Sequence, residues 1–168
     1  MHGCPRRTNP MKKHIIAALV ENRPGVLGRV VGLISGRGYN IETLNVGPML
    51  DSSTSRMTIT VVGDDRIIEQ VTKQLNKLVD VIKVTDLTRE KLLDSELVLL
   101  KISCNQKERS GVVELVELFS AHIMDVKPKS LIVQITGTEE KVANFIGLLK
   151  PFGIVEMSRS GAIALQKD

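Results

Sequence analysis

The run Glu21-Asn22-Arg23-Pro24-Gly25-Val26-Leu27-Gly28-Arg29-Val30, answered downstream by Gly38-Tyr39-Asn40-Ile41-Glu42, has residue types suited to holding a small anion. It joins an apolar strand, Ile15-Ile16-Ala17-Ala18-Leu19-Val20, to a helix that opens with Pro-Gly. Such an opening leaves backbone N–H groups unpaired at a helix N-terminus. Gly25 has no Cβ, so a ligand can approach the backbone closely, and the positive end of the helix dipole favours a carboxylate there. Taken alone, the Pro-Gly start is only a good helix start, and it is the surrounding residues that favour the anion seat.

Other chemistry is hard to assemble. His2, His14 and His122 are scattered and build no metal cluster. Ser110-Gly111 and Ser103-Cys104 offer nucleophiles, but no base held by an orienting acid accompanies them. Asp64-Asp65 and Glu139-Glu140 each open a helix, where carboxylates complement the dipole. Gly36-Arg37-Gly38 is too short for a dinucleotide fingerprint and ends a helix instead of opening one. Cys4 and Cys104 are far apart, which argues against a disulfide framework or zinc knuckle and for a cytoplasmic protein. We therefore expect no catalytic residues, no metal site and no cofactor on this chain.

The elements that must position the anion seat occur in one order, twice. The first half reads as strand (Lys13 to Val20), helix (Pro24 to Ser35), strand (Asn40 to Val46), strand (Ser55 to Val62), helix (Arg66 to Leu78) and strand (Val81 to Leu87). Leu27, Val30, Val31 and Ile34 keep helical spacing, whereas Met57, Ile59 and Val61 alternate with Thr58 and Thr60 as a sheet requires. After Thr88-Arg89-Glu90-Lys91 the cycle repeats: strand Leu97 to Ile102, helix Gly111 to Ala121 closed by His122, strand Ile123 to Lys127, strand Leu131 to Ile135, helix Glu139 to Leu149, and a final strand within Gly161 to Gln166. The expected class is α+β, two ferredoxin-like βαββαβ domains over 12–88 and 89–168, preceded by a disordered extension over 1–11. A chain of 168 residues, 42% hydrophobic, has enough apolar residues for both cores.

Composition narrows the partners. The basic start is followed by an apolar run too short for a membrane span, with no cleavage pattern. The net charge of +4 is dispersed, so nucleic acid is not demanded. A βαββαβ module that reads RNA needs aromatic stacking platforms on its central strands. The aromatics here are Tyr39, Phe119, Phe145 and Phe152, and Met57-Thr58-Ile59-Thr60-Val61-Val62 holds none.

The turn Glu21-Asn22-Arg23-Pro24-Gly25-Val26-Leu27 resembles that of ACT domains, the amino-acid-sensing modules of metabolic enzymes. Together with Arg37-Gly38-Tyr39-Asn40-Ile41-Glu42, Ser55-Arg56-Met57-Thr58-Ile59, Gln74-Leu75-Asn76-Lys77-Leu78-Val79-Asp80-Val81 and Ser158-Arg159-Ser160-Gly161, it is similar to the small regulatory subunits of acetolactate synthase, from about Met11 to Lys167.

The resemblance implies a non-catalytic subunit that activates a large catalytic subunit and carries feedback inhibition by valine, leucine or isoleucine. The catalytic subunit would hold thiamine diphosphate, magnesium and FAD, and would condense pyruvate with pyruvate or 2-ketobutyrate. It also implies a homodimer, with the effector where two ACT domains meet, lined by Asn22, Gly25 and Asn40. A zwitterionic amino acid would set its carboxylate against N–H groups near Gly25, Val26 and Leu27, with carboxamide oxygens of Asn22 or Asn40 accepting from its ammonium. Without the resemblance, Asn22 reads equally as a turn residue and Asn40 as a post-helix residue. Arg23 either assists the seat or faces solvent. Two other classes fit less of the chain: a stand-alone ACT sensor of transcription, for which no helix-turn-helix is apparent, and an enzyme whose site forms across a dimer.

Overall fold

The computed structural model describes residues 11–88 and 91–167. Met11 apart, the expected extension lies outside them, as do Cys4, His2, Arg89 and Glu90. The described chain forms two compact units, one reaching Leu92 and taking in the segment from Ala164 on, the other spanning Leu93–Ile163.

In the first unit, β1 (Lys12–Glu21) sends His14, Ile16, Ala18 and Val20 to one face, the alternation of a strand. β3 (Thr54–Gly63) is its antiparallel partner, placing Met57, Ile59 and Val61 opposite Ala18, Ile16 and His14. β2 (Ile41–Pro48) and β4 (Val81–Asp86) flank them in the order β2-β3-β1-β4. Helices α1 (Val26–Ser35) and α2 (Asp65–Leu75) cover that face with Val26, Val30, Ile34, Ile68, Val71 and Leu75. Each such side chain, fully buried, stabilises the fold by about 1.5–3 kcal/mol. Asp64 caps α2, its carboxylate accepting from the Ile67 N–H at 2.9 Å.

The second unit repeats the plan with β5 (Leu92–Ser103), α3 (Arg109–Leu118), β6 (His122–Lys127), β7 (Ser130–Gly137), α4 (Glu139–Leu149) and β8 (Ile154–Arg159), its strands running β6-β7-β5-β8. Val98, Leu100 and Ile102 face Val112, Val116, Val142, Phe145 and Leu149. Phe119 and Phe145 meet with ring centroids 5.2 Å apart inside this core, not on a sheet face. Both units are ferredoxin-like βαββαβ arrangements, as the doubled pattern predicts.

Three expectations are corrected. Helix α1 begins at Val26 and not at Pro24, because Gly25 is left-handed (φ 85°, ψ −13°) and so stands outside the helical conformation as the residue that precedes the first turn. His122 opens β6 instead of closing a helix, since α3 stops at Leu118. The sixth strand of the second unit is β8, not the segment within Gly161 to Gln166. That segment holds a further short strand, β9 (Ile163–Gln166). From Ala164 on the chain belongs with the first unit, where Ala164 is buried with Ala17 and Leu87 and its carbonyl accepts from Arg56 Nη2 at 3.1 Å.

Candidate functional site

The strand-to-helix turn is held from two sides. The Glu21 N–H donates to the Asp80 carbonyl at 2.9 Å, fixing the end of β1 to the start of β4. Asn22 then docks on the β2–β3 connection, its N–H donating to Ser53 O at 2.7 Å and its Nδ2 to Ser52 O at 2.8 Å. With the amide nitrogen so engaged, Oδ1 is left as an acceptor. The connection has its own clasp: Asp51 accepts from the Ser53 hydroxyl at 2.6 Å and the Ser53 N–H at 3.0 Å. Those two bonds, the hydroxyl first, hold the exposed Asp51 carboxyl below its usual 3.8.

At the helix start the first intrahelical bond runs from the Arg29 N–H to Gly25 O at 3.0 Å. The Val26 N–H is directed to Arg23 O at 3.4 Å, a long bond, so the N–H groups of Leu27 and Gly28 lead the helix. The Val26 side chain is buried in the core, so this residue can offer a ligand its backbone alone. Leu27, 43% exposed, can offer both side chain and backbone. Arg23 is turned to Glu21, Nε to Oε2 at 3.2 Å, rather than to the seat.

Asn22, Gly25, Val26 and Leu27 are thus brought together, and Asn40 is not. Asn40 follows the far end of α1, whose length of ten residues rises roughly 15 Å. The register says the same: Ile41 pairs with Val61 and Val61 with His14, whereas Asn22 follows the Glu21–Thr54 pair at the other end of β1. Asn40 is exposed at one end of edge strand β2.

Sequence reasoning missed Arg29 and Asp80. Arg29 Nε and Nη2 both meet Asp80 Oδ2, at 2.7 and 2.6 Å. A signal for Arg29 exists: a cation in the first turn opposes the helix dipole, so its presence there calls for another partner.

Two family profiles divide the chain between them. The one described as the AHAS small subunit-like ACT domain matches residues 16–83, and the one described as the small subunit of acetolactate synthase matches residues 95–168. The chain belongs to the acetolactate synthase small-subunit family. A probable acetolactate synthase small subunit of Archaeoglobus fulgidus is 49% identical over 91% of this chain and 96% of its own length. The acetolactate synthase small subunit of Aquifex aeolicus is 45% identical over 96% of this chain and 85% of its own. The crystal structure of the small subunit from Thermotoga maritima superposes with a TM-score of 0.86 at 37% identity, covering 93% of this chain and 98% of that one.

In this small-subunit family member the ACT profile encloses Asn22, Gly25, Val26, Leu27 and Asn40, and also Arg29 and Asp80. Among the described residues no group of three or more His, Cys, Asp or Glu side chains is placed to hold a metal ion. His14 is buried on the core face of β1, its Nε2 3.8 Å from Asp65 Oδ1, and Cys104 is a buried free thiol just beyond β5. No described helix is long and apolar enough to cross a membrane.

Proposed function

We propose that this chain is the regulatory subunit of a cytoplasmic acetolactate synthase, activating a large catalytic subunit and making it responsive to a branched-chain amino acid. Supporting this reading is the near full-length match to small subunits, with 91% of this chain and 96% of the relative aligned. Thiamine diphosphate, magnesium and FAD belong to the catalytic partner in this reading, and the small subunit acts on that partner's chemistry through binding alone.

The effector is a zwitterion with a compact apolar side chain. Its carboxylate is received at the N–H groups of Leu27 and Gly28, one residue further into the helix than the sequence implied, and its ammonium by Oδ1 of Asn22 and of an Asn40. Because one chain holds these asparagines at opposite ends of α1, the Asn40 must come from a second copy. Edge strand β2 supplies the means: two copies pairing β2 antiparallel about a two-fold set the Asn40 end of one strand against the Pro48 end of the other, beside which Asn22 docks.

The test is co-purification with the large subunit, then measurement of acetolactate formation with and without valine, leucine and isoleucine. Activation by the small subunit and inhibition by at least one of the three is the expected result. Failure to associate, or activity indifferent to all three, would remove the reading.

A further inference from the structure

The Arg29 guanidinium is anchored along one edge and open along the other. Its Nε and Nη2 converge on Asp80 Oδ2, and the Asp80 main chain is itself pinned by the Glu21 N–H. Nη1, the nitrogen left over, lies above Gly25: a Cβ built on that glycine would stand 3.1 Å from it. Asp80 thus uses the Nε/Nη2 side of the fork, and a guanidinium has five N–H donors, so donors remain on the side facing Gly25. Asp80 also restricts the arginine to one placement, so little rotamer freedom is left to lose when a ligand arrives.

We propose that Arg29, held by Asp80, is the charged partner of the effector's carboxylate, and that this pair makes the site select free amino acids over their amides. The inference rests on the effector site proposed above. It adds a formal positive charge to a seat otherwise made of backbone N–H groups. The carboxylate lies between Nη1 and the N–H groups that lead α1, each of its oxygens accepting a charge-assisted or helix-terminal hydrogen bond. Replacing the carboxylate with a neutral amide removes the ionic half of that contact and sets N–H donors against N–H donors.

The test is calorimetric titration of the full chain with L-valine, L-leucine and L-isoleucine, and with the amide of whichever binds, for the natural protein, Arg29→Gln and Arg29→Lys. The natural protein is expected to prefer the acid by at least tenfold. Arg29→Gln should weaken the acid tenfold or more and change the amide less than twofold, so that the preference collapses. Arg29→Lys, which keeps the charge without the fork, should keep part of it, and it serves as the second variant should Arg29→Gln not fold. An equal loss for acid and amide would make Arg29 a structural tie and overturn the proposal, as would an undiminished preference in Arg29→Gln. If the natural protein binds none of the three amino acids, the effector site itself is wrong and the role of Arg29 falls with it.

Discussion

Arg159 grips both carboxylate oxygens of Glu96, a residue only 5% exposed on β5. The next residue completes the clasp, the Ser160 N–H donating to Leu97 O at 2.9 Å while its hydroxyl accepts from the Leu97 N–H at 3.0 Å. Gly161, at φ 76°, then turns the chain away in a conformation that L side chains rarely adopt. The Ser158-Arg159-Ser160-Gly161 motif therefore has a structural explanation: it fastens β8 to β5 and ends the strand.

Removing the arginine leaves a buried carboxylate alone. Arg159→Ala is expected to destabilise the protein by about 3 kcal/mol, the low end for a broken buried pair, because the arginine side is 39% exposed. The double variant Glu96→Leu with Arg159→Met should recover most of that loss, since replacing both charges by apolar groups is often neutral. Urea unfolding measures both. A loss under about 0.5 kcal/mol for Arg159→Ala would mean that water reaches Glu96 and the pair behaves as a surface one.

Much of this was legible because the signals are local. The α4 boundaries, Glu139–Leu149, coincide with the expected ones: two acids open the helix, and the Thr138 hydroxyl caps it by accepting from the Lys141 N–H. The β8 strand was missed because it lies at a sheet edge with Val155 and Met157 both exposed, and because its pairing with β5 shifts register between Lys101 and Ile102, which breaks the two-residue alternation that marks a strand. Asn22 and Gly25 stand in one strand-to-helix turn and could be read together. The Arg29–Asp80 pair joins residues 51 apart in the chain, a contact created by tertiary packing alone.

The Asp51 clasp predicts a pH dependence at the site's edge. Its carboxyl is lowered in the folded state, so its contribution is fully present above 3.8 and is lost as pH falls through the lower, folded value. Since Ser52 and Ser53 carry the two hydrogen bonds from Asn22, protonation of Asp51 should loosen Asn22 as well. The Ser53 amide and the Asn22 side-chain amide resonances are expected to shift together below pH 3.8 and to be insensitive to this carboxyl at neutral pH. A Ser53 transition centred above pH 3.8 would contradict the clasp.

Gly25→Asp tests the seat by filling it. An L residue at φ 85° is strained by roughly 1–2 kcal/mol, and the introduced carboxylate would stand within reach of Arg29 Nη1, where the ligand's own carboxylate belongs. The variant should lose its response to branched-chain amino acids while still activating the catalytic subunit, because the turn lies outside the apolar core. Calorimetry showing normal amino-acid binding by this variant would place the seat elsewhere.

The separation of Asn22 from Asn40 gives the most demanding prediction. Each asparagine supplies one hydrogen bond to an ammonium, so Asn22→Ala and Asn40→Ala should each cost about 1.5–3 kcal/mol, roughly tenfold or more in affinity. Asn40→Ala should raise the effector concentration needed for inhibition more than it weakens association with the large subunit. If each site takes Asn22 from one copy and Asn40 from the other, a mixed dimer of the two variants contains one site with both defects and one site with neither. Purified through two different tags, that dimer should bind at natural affinity with half the natural stoichiometry, although each parent homodimer is impaired at both sites. A site built within one chain gives the opposite result, two impaired sites and no natural affinity, because every chain in the mixture carries a defect.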